Sequence, residues 1–158
     1  MIKVLLFLIS IGIAYSQESL NQSIINEKLA RDIYENYYLF YNREIDGFDS
    51  FTTNQFQEIL KKEYNCPEIC AISFDPWLNV QDGEIRKPVE FQTVKKTEFT
   101  TVIEMTYIFW IAEERQIKQK VAFKFERTKI DTGWKLSDFI VPDGTSLKNL
   151  MINWHNKY

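Results

Sequence analysis

The chain has 158 residues, 45% of them apolar or aromatic, a length that fits one domain with a core of its own. It carries 19 lysines and arginines against 22 aspartates and glutamates, a net charge of −3. The cations are scattered, with local maxima only at Lys61 and Lys62, at Lys95 and Lys96, and at Lys118, Lys120 and Lys124. An acidic domain without a basic tract is a poor nucleic-acid binder, which excludes that class of partner.

Residues 1–16 read as an export signal. Met1, Ile2 and Lys3 supply a short positive start, and Val4 to Ile13 is apolar apart from Ser10 and Gly12. Ala14 and Ser16 place small residues where a signal peptidase reads them, so cleavage is expected before Gln17. The apolar run is shorter than the roughly 20 residues a spanning helix needs, and the polar stretch 17–22 follows at once, so no stable membrane anchor is expected after cleavage. No cysteine follows the small residues, which disfavours a lipoprotein. Loss of Lys3 leaves 18 cations against 22 anions, a net charge of −4 for a single domain over residues 17–158. The expected location is periplasmic or secreted.

Residues 24–41 have helical spacing, with Ile25, Leu29, Ile33, Tyr37 and Phe40 on one face. A loop rich in Asp, Asn and Gly follows over residues 42–50. A second helix is expected from Thr52, where Thr52 and Gln55 have capping-box spacing. Its apolar stripe is Phe56, Ile59, Leu60 and Tyr64, and Pro67 should stop it. Residues 66–87 show no sustained period and form the longest irregular stretch. Long ordered loops often carry function.

Cys66 and Cys70 lie in this stretch. In an exported chain a bridge between them is the default, fixing a local turn. Paired metal-ligating thiolates are the alternative, but further ligands are scarce, because His155 is the one histidine. No metal or other cofactor is expected.

From Val89 onward the period becomes two. Val89, Phe91 and Thr93 begin one strand, and Phe99 to Ile111 make a second. Ile117, Val121, Phe123 and Phe125 alternate with Lys118, Lys120, Lys124 and Glu126 in a third. After a turn at Asp131, Thr132 and Gly133, a strand starts at Trp134 and ends near Pro142. Short connections imply an antiparallel meander. A last helix starts near Thr145 or Ser146, with Leu147, Leu150, Met151 and Trp154 as its stripe. The economical architecture is α+β, with helices covering one face of a curved antiparallel sheet and an extra C-terminal helix.

A long first helix, a short second one and long strands ending in Gly133, Trp134, Lys135, Leu136, Ser137, Asp138, Phe139 and Ile140 together resemble the nuclear-transport-factor-2-like cone. Within that superfamily the chain is similar to a group of exported bacterial domains of unknown function. These carry an Asp-Pro-aromatic-Leu…Gln-Asp segment after the second helix, matched here by Asp75, Pro76, Trp77 and Leu78, then Gln81 and Asp82. The resemblance covers residues 22–141. It implies a cone-shaped cavity, and some related exported folds act as immunity proteins against toxins. Fold likeness alone does not establish function.

The resemblance also implies where an enzyme of this fold would carry its His, Asp or Tyr, namely inside the cone. Strict alternation from Trp134 and Leu136 points Asp138 inward, where a buried carboxyl can act as a general base. A bulge that turns it outward is the competing reading. Tyr34, Tyr37, Tyr38, Tyr41 and Tyr107 either line a pocket or serve as core. His155 reads as a partly exposed surface residue without a partner. No nucleophile elbow, phosphate-cradling glycine loop or zinc motif is present.

The function expected is therefore that of a non-enzymatic binding protein with a protein partner, of the immunity or inhibitor kind. Contact candidates are Asp75, Trp77 and Asp82 in the irregular loop and Glu113, Glu114 and Arg115 at a hairpin tip. Trp77 is either a protruding anchor or a plug for the open end of the core, and Asp75 is also a turn former. A small-ligand carrier or cavity enzyme around Asp138 is the second expectation. The third is a homodimer through the sheet face, motivated by Ile108 and Trp110 on an otherwise polar face.

Overall fold

The computed structural model describes residues 27–36, 48–67, 70–79, 84–112, 115–130 and 133–157. Its architecture is α+β, with three helices set against a curled antiparallel half-barrel sheet. The sheet comprises β1 (Glu84–Lys96), β2 (Thr100–Ala112), β3 (Arg115–Glu126) and β4 (Lys135–Ile140), hydrogen-bonded in the order β1-β2-β3-β4. The helices are α1 (described over residues 27–35), α2 (Asn54–Tyr64) and α3 (Leu147–Lys157), and one further helical turn spans Phe48–Phe51.

The two-residue period places alternate side chains on the concave face. Ile103, Met105, Tyr107 and Phe109 from β2 and Val121, Phe123 and Phe125 from β3 are all buried there. Glu104, Thr106, Lys118 and Lys120 take the opposite, outer face. Ala30 and Ile33 of α1 join the same core. The carboxylate of Glu27 accepts from the backbone N–H and the hydroxyl of Thr93, at 3.2 and 2.7 Å, which ties α1 to β1. β1 begins five residues before the expected Val89, at Glu84.

α2 starts one residue later than the sequence pattern predicts. Thr53, not Thr52, is the N-cap, and its hydroxyl accepts from Phe56 N–H. Thr52 is drawn into a parallel bridge with Leu136, while Thr53 N–H donates to Leu136 O at 2.9 Å. Backbone pairing with β4 thus takes Thr52 away from the capping role. Thr52 is fully buried, and its carbonyl and hydroxyl both accept from the Gln57 amide.

The register between β3 and β4 shifts between Lys124 and Phe125. Lys124 pairs with Asp138 and Phe125 with Leu136, leaving Ser137 between them. The irregularity lets both Leu136 and Phe139 face the core, at 0% and 2% exposure. It also removes Asp138 from the concave face, so of its two sequence readings the outward-turning bulge holds and the inward general base of strict alternation is not formed.

Candidate functional site

Trp77 is part of the hydrophobic core. Its ring lies 4.9 Å from that of Phe139, 5.6 Å from Tyr34 and 5.8 Å from Phe123, and the residue is 3% exposed. This corrects its expected role as a protruding contact, because an indole so enclosed cannot reach a partner. The Tyr107 hydroxyl donates to Trp77 O from within the sheet. Burial pushes the Tyr107 phenol well above its ordinary range, with the negative charge of Asp75 adding to the effect. The concave face is therefore filled by its own rings.

Asp75 shapes the turn that delivers Trp77. Its carboxylate accepts from Trp77 N–H at 2.8 Å, and its backbone carbonyl accepts from the N–H groups of Leu78 and Asn79. This is turn chemistry expected of Asp. Burial raises the Asp75 carboxyl above its usual range, opposed by those backbone N–H groups. Asn79 then adopts a positive φ of 56°, a conformation that Asn tolerates. Asp82, Glu113 and Glu114 lie outside the described residues. Arg115 begins β3, and its side chain is likewise outside the description.

Asp138 caps the C-terminal helix. One oxygen accepts from Ser146 Oγ at 2.6 Å, and the other accepts from Lys148 N at 3.1 Å and Phe139 N at 2.8 Å. A carboxylate holding three donors, two of them at the start of α3, is a structural clamp at a helix N-terminus.

A second buried carboxylate joins three separate segments. Glu63, on α2, is 6% exposed. It accepts from Ile72 N–H at 2.7 Å and Ala71 N–H at 3.3 Å, and lies 2.9 Å from His155 Nε2 on α3. His155 is thus neither alone nor a surface residue, since its side chain is 16% exposed. The reason lies in the stripe of α3, which is centred on the buried Leu147 and Met151, so that the next position four residues on is His155. A glutamate three residues beyond Leu60, on the apolar stripe of α2, was the sequence signal for this pair.

Cys66 and Cys70 form a disulfide with a Cα separation of 5.8 Å, within the usual span. It ties Cys70, immediately before Ala71 and Ile72, to the residue two positions after α2, and so helps to fix the two N–H groups that Glu63 receives. Among the described residues no group of three or more His, Cys, Asp and Glu is placed to hold a metal ion. None of the helices, among the same residues, is long and apolar enough to cross a membrane.

Polar groups converge on the other side of Trp77. An open groove of about 740 Å³ runs from Glu90 and Glu104 on the outer face, past Lys118 and Lys120, to a wall made by Asn79 and Asp143. Asn79 Nδ2 donates to Asp143 Oδ2 at 3.2 Å, joining the irregular loop to the turn after β4. Donors from Thr145, and then Asn79, hold the exposed Asp143 carboxyl below its ordinary range. Gln119 contributes from β3, with its Oε1 3.5 Å from the Tyr107 hydroxyl. The groove offers amides, carboxylates and ammonium groups, the chemistry of a polar contact surface. No family model, curated protein or solved structure matches this chain.

Proposed function

We propose that this chain is an exported, non-enzymatic binding protein that engages a protein partner, in the manner of an immunity or inhibitor protein. The observation that supports this reading over a cavity enzyme is the filling of the concave face. Trp77, Phe123, Phe125, Phe139 and Tyr107 occupy the volume that a ligand in a cone would need. Asp138, the one candidate base, is committed to three donors outside that volume.

The likeness to the nuclear-transport-factor-2-like cone and the export signal at residues 1–16 belong to the same proposal. What is left for recognition is the rim, where the groove between Asn79, Lys118 and Asp143 is polar and open. Interfaces of regulatory complexes combine such a rim with a rigid scaffold.

The test is affinity capture by the purified domain from envelope and secreted fractions of its own host, read by mass spectrometry. One stoichiometric protein partner, lost on substitution of Lys118 and Asn79, supports the reading. Repeated absence of a partner, together with a small molecule bound inside the half-barrel, overturns it.

A further inference from the structure

Half of β3 lacks a neighbour on one side among the described residues. β3 runs for 12 residues and pairs with β2 along its length, whereas β4 has 6 residues and pairs with β3 only between Ala122 and Glu126. After Ile140, the partner of Ala122, the chain leaves the sheet through a turn in which Gly144 N–H donates to Val141 O at 2.8 Å and Gly144 takes a φ of +87°. Residues 116–121 therefore present a strand edge with no cross-strand partner among the described residues. The polar groove ends on this edge, walled by Asn79, Pro142 and Asp143.

We propose that an extended segment of the protein partner adds to β3 along residues 116–121, in the line that β4 leaves, with an acidic side chain beside Lys118. The proposal rests on the binding reading above and specifies its mode. Main-chain hydrogen bonds to a free edge supply affinity, and side-chain positions on alternate residues supply selectivity.

The charges decide which segment fits. Lys120 is already paired with Glu104 at 2.9 Å, whereas Lys118 has no ion pair among the described residues. Both are exposed and lie on the outer face, so they flank a strand added at this edge. A second copy of the chain is disfavoured as the occupant. Antiparallel pairing of two β3 edges about Gln119 would set Lys118 of one copy against Lys120 of the other, and like charges directly opposite are destabilising. Lys118, the lysine of the two without an ion pair among the described residues, is the one that selects an acidic side chain on the added strand.

The probe is the capped hexapeptide Thr-Glu-Val-Glu-Val-Thr, with its lysine-for-glutamate counterpart as control, titrated to millimolar concentration into the full mature chain. The readout is backbone amide exchange and chemical shift by NMR. In the free protein, which light scattering should show to be a monomer, alternate amides of residues 116–121 should exchange rapidly while those bonded to β2 stay protected. The acidic peptide should slow the rapid set by roughly tenfold or more and shift their signals. Lys118→Glu with Lys120→Glu should abolish that response and confer it on the lysine peptide.

Three results overturn the proposal. One is an edge already protected in the free protein, by its own chain if monomeric or by a second copy if dimeric. Another is a peptide that binds without slowing those amides, and the last is the absence of binding by either peptide. A captured partner whose binding survives both charge reversals, with the amides unchanged, would leave the binding reading standing while removing strand addition.

Discussion

Replacing Glu63 with Ala should be the most damaging change to a single charged residue among those described. The wild-type carboxylate receives Ile72 N–H, Ala71 N–H and His155 Nε2 at 2.7, 3.3 and 2.9 Å. Ala71 and Ile72 are each 8% exposed, so water cannot fully replace the lost acceptor. Hydrogen bonds to a charged group contribute about 1.5–3 kcal/mol each, and a buried donor left unmade costs about 1–3 kcal/mol. These terms overlap, so the expected loss is that of breaking a buried pair, about 3–5 kcal/mol. For a chain of this size that corresponds to a fall in Tm of roughly 10 °C. Glu63→Gln keeps the shape and one acceptor oxygen, and should lose less than half as much. Urea denaturation at neutral pH, followed by tryptophan fluorescence and far-UV circular dichroism, measures both. A Glu63→Ala protein within 1 kcal/mol of wild type would refute the clamp, as would equal losses for Ala and Gln. A double-mutant cycle with His155→Ala should give a coupling of about 0.5–3 kcal/mol, since the two side chains touch.

Asp75 has a raised folded-state pKa, so its contribution to stability is present below the ordinary carboxylate range and is lost as pH rises through the raised value. Asp75→Asn retains a side-chain acceptor for Trp77 N–H and should flatten stability against pH in the weakly acidic range, read by Tm across a pH series. Asp138→Ala removes acceptors from Ser146 Oγ and Lys148 N–H and should cost about 1–2 kcal/mol, with loss of helical ellipticity from α3. Trp77→Ala empties a site bounded by three rings and should cost about 3–5 kcal/mol; Trp77→Phe should recover much of that in the same denaturation assay.

The sheet was legible because its cue is local. Phe123 and Phe125 alternating with Lys124 and Glu126 need nothing distant to choose their faces, and the structure buries the rings as the alternation predicts. The cap of α2 was misplaced by one residue because Thr52 answers to Leu136 on β4, a partner far along the chain. Asp138 had two directions from sequence, inward by strict alternation or outward by a bulge, and the register shift against β3 selects the outward one. Trp77 had two readings from sequence since an aromatic in an irregular loop has no period to assign it a side. Its three ring neighbours assign it to the core. The Glu63–His155 pair was missed because it needs two helices packed side by side; the expected stripe of Leu147, Leu150, Met151 and Trp154 does pack on the core, and His155 lies four residues beyond its buried Met151. The groove at the β3 edge arises from unequal strand lengths, which the sequence marks only as a turn near Pro142.

The separation of Glu63 from its histidine has a bearing on how the chain comes to be folded. The two side chains are 92 positions apart, so α2 is synthesised well before the helix that supplies its histidine. Until α3 is made, the face of α2 that packs against it is uncovered, and the Glu63 carboxylate lacks its imidazole. A nascent chain shorter than residue 155 is therefore an incomplete domain with exposed apolar surface. It reaches its final state only once α3 has left the ribosome, so chaperone dependence should fall sharply when that helix becomes available.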